Sequence, residues 1–299
     1  MSLNSVNTNI GAQVALSSLN HTNTELQASQ KRVSTGFRVA DATDDGGAFA
    51  VAQRVRSDVG ALTSANEQLG NAKGLVGTAL SALGKISDSV NTAKSLVVKS
   101  GDASLPQDQR DQYIASYKSL VSQVADTVDG STYNGQTLLG KATGAVAGTG
   151  KTVISSEDGS TTAISAADTS GLANTLAGLI GLTFSRTAGA DTFSGTAAQT
   201  TAATALSATS GTSSFSAALK GVADQLNQTG ADANRVDAKI SFNSSKIDSL
   251  NAGLGALIDT DLSKESAKLQ ALQIKQQLGT QALSLANQAP SSLVSLFKG

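Results

Sequence analysis

The C-terminal run of the chain, Ile258 to Gly299, places Ile258, Leu262, Leu269, Leu272, Leu283 and Ala286 on one alternating four-and-three spacing. This is the seam of a coiled coil, one apolar stripe along one helix face. Glu265, Gln276 and Gly279 interrupt it, so the stripe is thin. The N-terminal run repeats the pattern: Ala12, Leu16, Leu19, Leu26, Val33 and Phe37 share a seam broken by Asn23 and Gln30. Two thin stripes at opposite ends of one chain need each other and further partners. Both ends are therefore expected to assemble with copies of themselves. The expected assembly seam is Leu16, Leu19, Leu26, Val33 and Phe37 at one end, with Leu262, Leu269, Leu272, Leu283, Leu293 and Phe297 at the other.

Composition narrows the class. The chain has 299 residues, 3% aromatics, two prolines, no Trp and 15% charged residues with a net charge of −1. That length can hold two or three compact domains. The charge balance leaves no footprint for nucleic acid or an anionic membrane. The absence of Cys excludes disulfides and thiolate metal sites. The first basic side chain is Lys31 and no apolar core follows the start, so no cleaved secretory signal is expected. No stretch is long and apolar enough to span a bilayer.

In chain order, residues 1–9 have no period and are expected to be flexible. A first helix is expected from Ile10 to about Thr35, stopped by Gly36. The stretch RVADATDDGGAFA reads as a turn in which Thr43 or Asp44 caps the next helix. Four-and-three spacing then runs from Val51 to Val97 and predicts a helix over Phe49–Lys99, about 75 Å long at 1.5 Å per residue. Gly60, Gly70, Gly74, Gly77 and Gly84 either permit close approach or are small residues tolerated on a crowded face. GDASLP ends that helix, with Ser104 or Asp102 as the next cap, and Gln107 to about Val128 forms a shorter one with Tyr113, Tyr117, Leu120 and Val124 inward. Asn134-Gly135 predicts a type I′ hairpin. From 141 to 210 the chain is rich in Gly, Thr, Ser and Ala. KTVISS, TAISA and LTFSRTAG read as short strands there, and LANTLAGLI fits a helix or a strand. Helical spacing returns from Phe215 to Leu257, with a break expected at Gly253 and Gly255 before the last helix.

The fold expected is mainly α: a discontinuous long-helix bundle with paired N- and C-terminal coiled-coil helices and a small β-rich central insert. Three parts follow. Residues 1–45 with 258–299 form a terminal coiled-coil domain, 46–140 with 211–257 a helical rod with a short hairpin, and 141–210 a variable β-rich domain.

The motifs LNSVNTNIGAQVALSSLN, STGFRVADATDDGGAFAVAQRVRSDV, STYNGQTLL and ALSLANQAPSSLVSLFKG occur in this order. Through them the chain resembles bacterial flagellin over nearly its whole length outside 141–210. The resemblance implies a homo-polymer, the helical filament of the flagellum that drives swimming, with the terminal helices forming its inner layer and the middle facing outward. It also implies unfolded export through the flagellar type III apparatus with an export chaperone and without a cleaved signal. Contact with hook-associated and cap proteins and an extracellular location follow too. Neither nucleic acid nor membrane insertion is implied. A hook–filament junction protein and a secreted adhesin using 141–210 are the competing readings.

Catalytic and metal sites find no support. His21 is the single His, so HExxH is absent, and its polar setting suits a solvated or subunit-contact role. Asp41, Asp44 and Asp45 lack the ligand alternation of a calcium loop and suit turns and caps. Gly150-Lys151-Thr152 lacks the spacing of a phosphate loop. Arg54 and Arg56 are either contacts for a neighbour's carboxylate or a solvated face. No cofactor, metal or catalytic residue is expected.

Overall fold

The computed structural model describes residues 9–142, 146–187, 190–197, 201, 206 and 214–297, with side chains described as far as 288. The expectation for residues 1–8, and the side chains of Leu293 and Phe297, lie outside the described residues. Among the described residues, six helices and four strands are bounded, in order: α1 Ile10–Thr35, α2 Gly46–Ser100, α3 Gln107–Gly130, β1 Lys151–Ile154, β2 Thr161–Ile164, α4 Leu172–Gly178, β3 Thr183–Thr187, β4 Ala190–Ser194, α5 Phe215–Ile258 and α6 Leu262–Phe297. The chain divides into two compact units, residues 1–59 with 248–299 and residues 60–247.

The second unit is organised by one apolar core. Leu69, Val76, Leu83, Ile86 and Val90 of α2 are fully buried in it, together with Tyr117, Val121 and Val124 of α3 and Phe215, Val222 and Val236 of α5. Leu138, Ile164, Leu176 and Phe184, from the middle of the chain, enter the same core. The inward stripe of α3 holds Tyr117 and Val124 as expected, while Leu120 is half-buried beside the buried Val121. The Tyr117 hydroxyl donates to the Leu176 carbonyl, and burial pushes its pKa up. An edge-to-face contact with Phe215, 6.4 Å between centroids, completes its cage.

The middle of the chain pairs locally. β1 and β2 form one antiparallel hairpin, and β3 and β4 another. KTVISS and TAISA thus supply β1 and β2, LTFSRTAG supplies β3, and LANTLAGLI supplies the helix α4. Polar clasps tie these hairpins to the helices. Arg186 of β3 meets Asp191 at 2.5 Å, Asp126 at 2.8 Å and Asp129 at 3.0 Å, the last two on α3. Asn243 of α5 is fully buried and donates to Asn66 of α2 at 3.0 Å and to the Ser155 carbonyl at 2.9 Å. Next to it, Lys246 pairs with Glu157. Lys151 and Thr152 are strand residues, which removes the phosphate-loop reading.

Tyr133 and Gln136 exchange two backbone hydrogen bonds of 2.9 Å around Asn134 and Gly135. Both central residues have positive φ, 49° and 73°, as the type I′ turn requires. The turn lays the Tyr133 ring on Gly74. A Cβ at position 74 would stand 2.5 Å from that ring, whereas Gly60, Gly70, Gly77 and Gly84 have open space at the corresponding point. Of the five glycines, close approach therefore explains Gly74 alone.

Three sequence expectations change in detail. Asp45, rather than Thr43 or Asp44, caps α2 by accepting from the Ala48 N–H at 3.0 Å. α3 begins after Pro106 without a side-chain cap, because Asp102 accepts from Ser104 instead. α5 continues through Gly253 and Gly255 to Ile258, and the break falls at 259–261. Each helical glycine costs only about 0.5–1 kcal/mol, which packing offsets. The stop comes from the backbone partners of Ile258 and from Asp261, whose carboxylate accepts the Ser263 and Lys264 N–H groups at the start of α6.

Replacement of Gly74 by Ala should lower stability by no more than about 1 kcal/mol, because the Tyr133 ring tip that it displaces is 37% exposed and can swing aside. Gly77→Ala, in open space, should raise it by about 0.5–1 kcal/mol. Thermal unfolding of the two variants beside the parent checks the opposite signs.

Candidate assembly surface

The first unit brings the chain ends together. α1 is capped by Asn9, whose side chain accepts from the Ala12 N–H at 3.0 Å, and is stopped by Gly36 in the left-handed conformation, φ 74°. Both boundaries match the sequence expectation. α6 lies antiparallel to it. The Asn9 amide donates to the Ala286 carbonyl at 2.7 Å, and the Gln276 amide to Asn23 Oδ1 at 2.8 Å. Leu19 faces Gly279, where an added Cβ would come within 3.1 Å of its Cδ1. Ser29 Oγ reaches the Glu265 carbonyl at 3.5 Å, and Arg32 stands 3.8 Å from the Glu265 carboxylate. The gaps at Gln276 and Glu265 thus meet polar residues of α1, and the gap at Gly279 makes room for Leu19.

Among the expected seam residues, Leu26 and Leu272 are buried, and Leu19, Val33, Phe37, Leu269 and Leu283 are half-buried. Leu16 and Leu262 are exposed at 47% and 51%. On α6 the inward positions 265, 269, 272, 276, 279, 283 and 286 follow the expected seam. On α1 positions 12, 15, 19, 22, 23, 26, 29 and 33 are among the buried or half-buried ones, so Ala15 and Ser29 face inward where the expected spacing has Leu16 and the gap at Gln30. A seam read by the largest apolar group misses small residues that let two helices approach closely.

The remaining apolar groups point away from the pair. Ile10, Val14, Ile274, Leu278 and Leu285 are exposed, Val14 by 64% and Leu285 by 70%. None of these belongs to the expected seam. Their signal in the sequence is a second, weaker stripe on each helix, hidden by the stronger one. Val14, Leu19 and Leu278 line a groove of about 810 Å³ with His21, Glu25 and Lys275 on its walls. His21 is exposed and lies 3.8 Å from Glu25. The charged side chains Lys31, Arg32, Lys264 and Lys268 all sit toward the other end of the pair.

That other end is a joint. The Thr260 N–H donates to the Gly36 carbonyl at 2.9 Å, and the Arg38 N–H to the Ile258 carbonyl at 2.6 Å. The Arg38 guanidinium donates to the Leu257 carbonyl at 2.6 Å. These bonds satisfy the orphan carbonyls at the end of α5. Val39, Ala48, Ala52 and Ile258 form a small apolar core beneath them, and Arg56 lies 5.9 Å over the Phe37 ring. Lys31 reaches Asp41 at 2.6 Å and Asp44 at 2.9 Å. Asp44 also accepts from the Ala40 N–H at 3.0 Å. The three aspartates thus hold a turn and a cap.

Among the described residues no group of side chains could hold a metal ion, and no helix is long and apolar enough to cross a membrane. What the first unit offers is a helix pair built from both chain ends, with apolar side chains left outward. That is the construction of an assembly subunit.

Comparison with known proteins gives the family. Residues 6–144 match the bacterial flagellin N-terminal helical region, and residues 212–297 the bacterial flagellin C-terminal helical region. The chain is 35% identical to flagellin FljK of Caulobacter vibrioides over the full length of both. It is 34% identical to a flagellin of Brucella melitensis over 99% of each chain. Flagellin C of Rhizobium meliloti is 29% identical, over 99% of this chain and the whole of that one. The chain belongs to the bacterial flagellin family. It is a structural subunit of the flagellar filament, the propeller of bacterial swimming.

The joint makes the first unit sensitive to acid. The Lys31 ammonium, helped by Thr43, holds the Asp41 carboxyl well below the usual carboxylate range. Lys31 and the Ala40 N–H lower Asp44 in the same way. Carboxyls lowered in the folded state stabilise it above their ordinary pKa and lose that contribution as pH falls through the folded values. Lys31→Met should therefore move acid loosening of the 36–45 turn upward, toward the ordinary carboxylate range. Amide exchange of that turn against pH checks it.

Proposed function

We propose that the α1–α6 pair is the polymerising element of this subunit, and that its outward apolar side chains are buried by neighbouring copies. The observation that carries the reading is the exposure of Ile10, Val14, Leu16, Ile274, Leu278 and Leu285 along one half of the pair. Burying such a side chain contributes about 1.5–3 kcal/mol. The pair's own seam is poor: Leu26, Ser29, Glu265 and Leu272 are its buried residues among those described, and two of the four are polar. A pair so weakly held alone orders when neighbours cover it. The terminal helices are loose in the free subunit and fold on assembly.

The family supports the rest of the plan. The subunit is exported through the flagellar type III apparatus with an export chaperone, without a cleaved signal, and meets hook-associated and cap proteins at the growing filament. It ends up outside the cell. Its parts are 1–45 with 258–299 at the filament's inner layer, 46–140 with 211–257 around them, and 141–210 outermost. The role is structural and not catalytic. Full-length likeness to flagellins favours it over a junction protein or an adhesin.

Two experiments test the reading. Leu278→Asn with Leu285→Asn should abolish filaments after salt-induced polymerisation, seen by electron microscopy, while unfolding of the 60–247 unit stays unchanged. Removal of residues 1–40 and 260–299 should leave a helical, cooperatively unfolding monomer that forms no filament. Filaments from either variant would refute the assignment.

A further inference from the structure

The polar residues in the α1–α6 seam are placed in matched layers. Asn23 meets Gln276 at 2.8 Å, and Arg32 meets Glu265 at 3.8 Å. Glu265 is 8% exposed, and its Oε1 has no hydrogen-bond donor. A hydrophobic seam alone would not distinguish this alignment from one displaced by a heptad, because Leu19 and Leu26 stand seven residues apart, as do Leu262 and Leu269.

The polar layers do distinguish them. Slipping one heptad toward the α6 N-terminus sets Asn23 on Leu269 and Gln276 on Leu16, and brings Glu265 from Arg32 onto Glu25. Slipping the other way sets Asn23 on Leu283 and Arg32 on Leu272. Every displaced alignment sets a half-buried amide or a charge against leucine, or carboxylate against carboxylate. A buried polar group without a partner costs far more than the same group paired.

We propose that Asn23, Arg32, Glu265 and Gln276 are specificity-determining residues that lock the two chain ends into a single antiparallel register. The lock trades seam stability for uniqueness, as a single polar seam residue does in coiled coils. It acts within one chain. Its consequence for the filament, that Val14 and Leu278 flank one groove in every subunit, rests on the assembly reading above.

The absence of native Cys makes register directly readable. A Cβ at position 279 lies 3.8 Å from the Leu19 Cβ, within disulfide span. Leu19→Cys with Gly279→Cys therefore reports the observed register. Leu19→Cys with Leu272→Cys, and Leu19→Cys with Ala286→Cys, report the two slipped ones. Each reporter is oxidised in pelleted polymer, and the crosslink is read as a shifted single-chain band on non-reducing gels. In the native background the first reporter should exceed the others by about tenfold or more. In a background carrying Asn23→Leu, Glu265→Leu and Gln276→Leu, slipped crosslinks should rise to a similar yield. Unchanged selectivity in that background, or slipped crosslinks in the native one, overturns the lock. Should the leucine background aggregate, Arg32→Glu serves: it should lower the Leu19–Gly279 reporter, and adding Glu265→Arg should restore it. No recovery also overturns the lock. A chain that crosslinks in the observed register in solution yet never pellets counts against the assembly reading and leaves the lock standing.

Discussion

Backbone hydrogen bonds between residues 36–38 and 258–260 hold the two chain ends as one unit. They end α5, they begin the turn that starts α2, and they set α1 beside α6. Backbone groups at helix ends must find partners, and here each end finds them in the other terminus. Arg38 contributes twice, through its N–H and its guanidinium. The Lys31–Asp41–Asp44 cluster then fixes the turn that delivers those groups.

The two units solve stability differently. The second is a conventional core with leucines, valines and one caged tyrosine, reinforced by the Arg186 and Asn243 clasps. The middle of the chain is poor in large apolar groups and adds Leu138, Ile164, Leu176 and Phe184 to that core rather than building its own. The first unit leaves a set of large apolar groups outside, Ile10, Val14, Leu16, Ile274, Leu278 and Leu285 among them.

Much of this is legible in the residues. The limits of α1, the hairpin at Asn134-Gly135 and the α6 seam follow from local rules: a left-handed stop, a turn dipeptide and a heptad. The resemblance to flagellins rests on motifs spread over both ends. Other features are not legible, for physical reasons. Glycines 253 and 255 look like a helix end, yet the true end is decided by Arg38, more than two hundred residues away in sequence. Ala15 and Ser29 hide in the α1 seam because closeness, not size, puts them there. The outward stripe of Val14, Leu278 and Leu285 is masked because a stronger apolar face dominates the pattern of each helix. The cap of α2 falls on Asp45 because Asp44, an equally good capping residue by type, is engaged by Lys31 and the Ala40 N–H.

The joint also dictates an order of events during synthesis. Gly36 emerges from the ribosome early, but Thr260, its hydrogen-bond partner, follows only after most of the chain has been made. At translation rates of about 5–20 residues per second, α1 waits roughly 10–50 s for a surface to pair with. The N-terminal segment is therefore the oldest part of every nascent chain and among the last to find its place.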